Sequence, residues 1–217
     1  MLRKQPMPYG WKLFYLFLAI SVVYLLVLYL TNTLILTDEV NVKLWSNQLS
    51  SERLEKMLEV NKRMEWVIYV LTPVLLFLKF LLITLAIQAG LFIYNIELPF
   101  KKVFNIVLFA EIVPLMAVVV QFGYFLWKGV DSFDQINSFS PLSLFSFLHL
   151  KDIPSYLEYP LQVVNLFELG YWLLLAIGLK IFLKGSFGKA FKLVASSYGV
   201  GLLLWVVLIV FIQIQTS

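Results

Sequence analysis

The sequence predicts an all-α fold, a polytopic membrane helical bundle with five transmembrane helices. Three observations carry that prediction. Of 217 residues, 61% are hydrophobic and only 14% are charged, against roughly 45–50% and about 25% in soluble domains. The apolar excess is gathered into five runs, each able to cross the roughly 30 Å of a bilayer's hydrocarbon at about 1.5 Å per residue. Lys and Arg crowd the connections on one side of those runs, as the positive-inside rule requires. No soluble core could bury so much apolar surface, and no stretch between the runs is long enough for a second domain. Residues 1–217 therefore read as a single membrane domain.

The first run is Trp11–Leu36. Its apolar core exceeds the roughly 7–15 residues of a signal-peptide h-region, and no small-x-small cleavage site follows. It is expected to stay in the membrane as a signal anchor. The connection 37–65 carries a helical pattern: Ser50 or Ser51 can cap a helix through Glu52–Glu65 into the second run. Glu52–Lys56 and Glu59–Arg63 stand at i,i+4 in the favourable order. Leu54, Met57, Leu58 and Met64 make an apolar stripe, so this helix either extends the second span beyond the bilayer or bends back over the bundle.

The second run, Trp66–Tyr94, is interrupted by Pro73 and Lys79. A short basic turn with Lys101 and Lys102 leads to the third, Val103–Trp127, which carries Glu111 and Pro114. The connection 128–160 contains Pro141, Pro154 and Pro160; between them Leu142–Leu150 is apolar but too short to span, and reads as interfacial or re-entrant. The fourth run is Leu161–Leu183, with Glu168, and the fifth is Ala190–Ile214.

Charge sets the expected orientation. Arg3, Lys4, Lys12, Lys101, Lys102, Lys180, Lys184, Lys189 and Lys192 fall on one side with only Glu97 against them, whereas the other side holds seven basic residues and ten acids. The basic side is expected to be cytoplasmic, with the amino terminus inside and the carboxyl terminus outside. This topology signal accounts for the net charge of +4, so nucleic acid is not implied as a partner. Lys180, Lys184, Lys189 and Lys192, around Gly185–Gly188, could also contact anionic lipid headgroups.

Three charged residues fall inside spans: Lys79, Glu111 and Glu168. Each costs at least about 2.5–3.5 kcal/mol at a helix centre, so such residues face the interior and find partners. Counted from the basic ends of the runs, Lys79 and Glu168 lie about 22 Å deep and Glu111 about 12–13 Å. The spacing predicts an ion pair between Lys79 and Glu168, and leaves Glu111 without a basic partner at its depth. Gln88, Ser196, Ser197 and Tyr198 lie near the depth of Glu111 and could hydrogen-bond it. Pro114, three residues on, loosens the backbone beside Glu111. Two readings stand: a polar path for a proton, ion or lipid headgroup, or polar glue that fixes helix register. The spacings Ala86-x-x-x-Gly90 and Ser197-x-x-x-Gly201 permit close helix contact, within the monomer or in a dimer.

The chain has no cysteine and a single histidine, His149, which excludes disulfides, thiolate metal sites and a typical zinc site. It contains no H-E-x-x-H, Walker loop or Gly-x-Ser-x-Gly elbow. No catalytic residue, metal ligand or cofactor is expected, and the chain reads as non-enzymatic. An intramembrane enzyme would need a second catalytic group converging on Glu111 or His149.

Several segments together carry a family resemblance. Leu98-Pro99-Phe100-Lys101-Lys102-Val103-Phe104 leads into a span with Ala110 and Pro114. Pro141-Leu142-Ser143-Leu144 precedes the fourth span, whose Asn165-Leu166-Phe167-Glu168-Leu169-Gly170-Tyr171-Trp172 is followed by Ala176-Ile177-Gly178-Leu179. Lys189-Ala190-Phe191 opens the fifth. Over roughly residues 70–214 this pattern resembles the Yip1 superfamily, five-span membrane proteins related to eukaryotic Rab-GTPase-interacting factors. The resemblance implies a five-helix bundle with a cytoplasmic amino terminus. Eukaryotic members carry a longer soluble amino-terminal region that meets Rab GTPases. Here about ten residues precede the first span, so the prokaryotic branch is the nearer match and a prokaryotic cytoplasmic membrane the expected location. The expected role is a scaffold or organiser of membrane proteins or lipids. The alternative is a transport or permease subunit moving an ion, proton or lipid through a polar interior lined by Glu111, Lys79 and Glu168. The expected partners are membrane lipids and other membrane proteins, or a second copy of the chain.

Overall fold

The computed structural model describes residues 9–45, 50–130, 132, 135–136, 139–148, 153–183 and 186–216. It is all-helical, with no strand among the described residues. Five helical segments are long and apolar enough to cross a membrane: Lys12–Leu34, Glu52–Ile93, Phe100–Lys128, Leu166–Leu183 and Phe187–Gln215. The chain is thus a multi-pass membrane protein, with one spanning helix on each of the five apolar runs.

Helix α1 is Tyr9–Leu34, and a short α2, Asp38–Trp45, follows it. Helix α3, Ser51–Ile93, is 43 residues long, about 65 Å, far more than a bilayer's thickness. The amphipathic segment therefore extends the second span as one continuous helix. Its i,i+4 pairs form as spaced, Lys56–Glu52 at 2.8 Å and Arg63–Glu59 at 2.9 Å, and Lys62 reaches across to Asp38 of α2 at 2.6 Å. Ser50 occupies the N-cap position, though its side chain makes no capping bond. Leu54 is buried, whereas Met64 is exposed, so the apolar stripe ends short of it. Pro73 sits inside α3 without ending it.

The third span is two helices, α4 (Phe100–Ala110) and α5 (Ile112–Lys128), meeting at Glu111, whose ψ is −14°. Pro114 supplies the cause: it has no N–H for the carbonyl of Ala110, and its ring crowds that carbonyl.

The fourth run departs from its expected boundary. A short α6, Leu144–Leu148, and α7, Ser155–Val163, precede the spanning helix α8, Leu166–Leu183. The run that begins at Leu161 is broken at Val164–Asn165. The segment before α6 plugs the break: Leu144 donates its N–H to the Val164 carbonyl (2.9 Å), and Leu166 donates to the Leu142 carbonyl (3.2 Å). Broken backbone inside a bilayer needs such partners. Of the expected re-entrant segment Leu142–Leu150, residues 149 and 150 lie outside the described residues; Leu142–Leu144 pair with the break. Leu142 takes a positive φ of 57° to make the turn.

The fifth span contains α9 (Phe187–Val194), a π-helical turn (Ala195–Gly199) and α10 (Val200–Thr216). The core lies where α3, α4, α8 and α9 meet, with Phe80, Ile87, Val103, Val107, Leu175 and Val194 fully buried. The two small-residue stripes meet each other within the monomer. A Cβ on Gly90 would stand 2.5 Å from the Ser197 Cβ, and one on Gly201 would stand 3.7 Å from the Ala86 Cβ.

Candidate functional site

Glu111 is fully buried, with 0% exposure, at the corner that Pro114 creates between α4 and α5. Its Oε1 accepts two bonds, from the Tyr24 hydroxyl of α1 (2.7 Å) and from the Lys79 Nζ of α3 (2.6 Å). The expected Lys79–Glu168 ion pair is therefore corrected: Lys79 pairs with Glu111, which does have a basic partner. The reason lies in where the helices start. Helix α4 begins at Phe100, not Val103, so Glu111 is eleven residues in, and Lys79 is fourteen residues before the end of α3. A three-residue difference is about 4.5 Å of rise, within the span of a lysine's flexible stem.

Glu168 occupies the first turn of α8. The Asn165 Oδ1 accepts its backbone N–H at 2.7 Å, so Asn165 caps the helix that restarts at the break. A carboxylate at this position also suits the positive end of the helix dipole. The Glu168 Oε1 accepts the Trp172 indole N–H and the Tyr198 hydroxyl, both at 2.8 Å. Tyr198 belongs to the π-helical turn, a local irregularity of the kind that recurs at functional sites. The Tyr171 ring stands edge-on to Tyr198, with centroids 5.4 Å apart. The Tyr171 hydroxyl, the Glu111 Oε2 and the Ser21 Oγ are buried without hydrogen-bond partners among the described residues.

The other polar residues singled out in the spans do not join Glu111. Gln88 donates to the Leu98 carbonyl at 2.9 Å, pinning α3 to the turn before α4. Ser197 donates to the Leu193 carbonyl at 2.6 Å, and Ser196 lies 3.2 Å from the same oxygen and 3.4 Å from the Tyr94 hydroxyl. In a helix, a serine hydroxyl finds the carbonyl one turn back more readily than a side chain on another helix. Lys180, Lys189 and Lys192 are exposed; Lys184 and His149 lie outside the described residues.

Tyr24, Tyr171 and Trp172 escape a search for charges. Their signal is a polar-tipped aromatic inside a span, and the spacing Glu168-x-x-x-Trp172 places donor and acceptor on one helix face.

Beside this cluster, α3 and α10 splay apart beneath α7 and leave a cleft of about 1030 Å³. Lys79, Glu168 and Tyr198 stand in its wall, with Ser140, Gln162 and Asn165 as further polar lining, while residues such as Ile83, Ala86 and Leu202 make most of it apolar. Glu111 lies behind Lys79 and does not reach the cleft. The Lys79 side chain is 40% exposed. Thus Lys79 from the first polar group, and Glu168 with Tyr198 from the second, face a common space. The chain was compared with protein-family models, with curated proteins and with solved structures, and it matches none of them.

Proposed function

We propose that this chain is a non-enzymatic, Yip1-like membrane organiser that holds lipid in its lateral cleft, with its amino terminus on the cytoplasmic side of a prokaryotic inner membrane. The observation that carries this reading is the cleft between α3 and α10, about 1030 Å³ and largely apolar. That volume is at the large end of small-molecule sites. Leu75, Leu78 and Leu82 on one rim and Leu204 and Leu208 on the other are exposed. In a membrane span, exposure means contact with lipid, so the cleft is continuous with the hydrocarbon. The two carboxylates support a holding role, since buried Glu111 and half-buried Glu168 are both hydrogen-bonded to side chains of neighbouring helices.

A transport or permease subunit is the second reading, and a specific observation favours it. The broken backbone at Val164–Asn165 and the π-helical turn both adjoin the cleft. Irregular backbone beside an intramembrane cavity is the usual arrangement in transporters.

Purification in a mild detergent followed by native mass spectrometry separates the two. The organiser reading expects bound lipid that survives mild activation. A lipid-free chain that conducts an ion or proton across liposomes would overturn it in favour of transport.

A further inference from the structure

The chemistry of the cleft wall specifies more than a lipid tail. A site for hydrocarbon alone would be apolar throughout, because a charged group left facing lipid costs several kcal/mol. Here two opposite charges share one wall. Lys79 spends one donor on Glu111, and an ammonium has three, so two remain for the cleft. The Glu168 Oε1 takes both of the carboxylate's hydrogen bonds, and its Oε2 has none among the described residues. The wall therefore offers cationic donors beside an unoccupied anionic acceptor.

The charges within the spans leave an excess. Lys79 bonds Glu111, and Glu168 has neutral donors but no ion pair among the described residues, so two carboxylates share one ammonium and the cluster can take a second cation. Aromatic side chains stand around it: Tyr159, Tyr198 and Trp205 also line the cleft, and ring faces attract ammonium groups. A purely anionic headgroup would gain Lys79 and be repelled by Glu168. A headgroup with both charges satisfies both.

We infer that the cleft selects an amine-bearing zwitterionic phospholipid, its ammonium on Glu168 Oε2 and its phosphate on the remaining donors of Lys79. The inference rests on the lipid-holding reading above and adds the headgroup. The tail would lie along the apolar wall between α3 and α10, where the exposed leucine rims let it enter sideways from the bilayer.

The test reconstitutes the full chain in vesicles of phosphatidylethanolamine and phosphatidylglycerol at equal mole fraction, extracts it in mild detergent and measures retained lipid by native mass spectrometry. One charge-assisted bond predicts about tenfold enrichment of phosphatidylethanolamine. Glu168→Gln keeps an oxygen for Trp172 and Tyr198 but loses the charge, and should abolish the enrichment while the protein stays folded by circular dichroism. Leu82→Trp, at a rim position 61% exposed, should cut retention of both lipids by filling the cleft mouth. Equal retention of the two lipids by the folded parent, or enrichment unchanged in Glu168→Gln, overturns the headgroup assignment while lipid holding stands. A folded parent that retains no lipid overturns both.

Discussion

Lys79 and Glu111 form an unequal pair. The Glu111 side chain is fully buried, whereas that of Lys79 is 40% exposed on the cleft. Removing Lys79 leaves a carboxylate with no route to water, and breaking a buried pair in this way costs about 3–5 kcal/mol. Removing Glu111 leaves an ammonium that can turn into the cleft, at a smaller cost of about 1–3 kcal/mol. Thermal unfolding in detergent should therefore rank Lys79→Met below Glu111→Gln, and the double variant should lose less than the sum. The same cycle between Lys79 and Glu168 should show distinctly weaker coupling. A stronger coupling to Glu168 than to Glu111 would refute the pairing described here. At this scale the sequence was half legible. That Lys79, Glu111 and Glu168 needed partners followed from the cost of intramembrane charge. Which partner each took did not, because neutral donors such as Tyr24, Trp172 and Tyr198 satisfy a carboxylate as readily as a lysine does, and apolar context hides them.

Among the helices, the contact between α3 and the π-helical turn is the tightest test of packing. A Cβ on Gly90 would stand 2.5 Å from that of Ser197, whereas one on Gly123 of α5 would meet nothing within 4 Å. Gly90→Ala should push α3 away from the fifth span and destabilise by about 1–3 kcal/mol, as overpacking does. Gly123→Ala should be neutral or stabilising by up to about 1 kcal/mol, since alanine favours helix. Melting temperatures of the two variants in one detergent check this, and equal shifts would mean that the stripes do not touch. Element breaks differ in how far they can be read. The corner at Glu111 has its local cause in Pro114, although Pro73 leaves α3 unbroken. The break at Val164–Asn165 has no proline or glycine at it: Leu142 and Leu144, some twenty residues earlier, supply the hydrogen bonds that make it tolerable. The chain's local pattern there reads as one continuous apolar run, which begins five residues before the spanning helix does.

For the whole molecule, the alternation of basic and acidic connections predicts a sidedness that labelling can check. The chain has no cysteine, so single cysteines can be placed without background. Glu55→Cys, on the exposed extension of α3, should react with an impermeant maleimide from outside intact cells, and Lys101→Cys, at the start of α4, should not. The reverse pattern would invert the orientation. What the sequence determined by itself is the solvent, the number of spans and their approximate limits, since these depend on composition and run length, which add up along the chain regardless of its path. The amphipathic helix before the second span and the small-residue spacings of α3 and the fifth span were legible for the same reason: helical periodicity places such residues on a face. That the helix continues straight into the second span, and that the two small-residue faces meet each other, only the packing shows. Only the tertiary structure decided that Lys79 turns to Glu111, that Glu168 is held by Trp172 and Tyr198, and that a cleft opens between α3 and α10. A shift of one helical turn in where a span begins moves a side chain about 5 Å in depth, more than the reach of a hydrogen bond, so pairing between helices is settled by packing rather than by position in the chain.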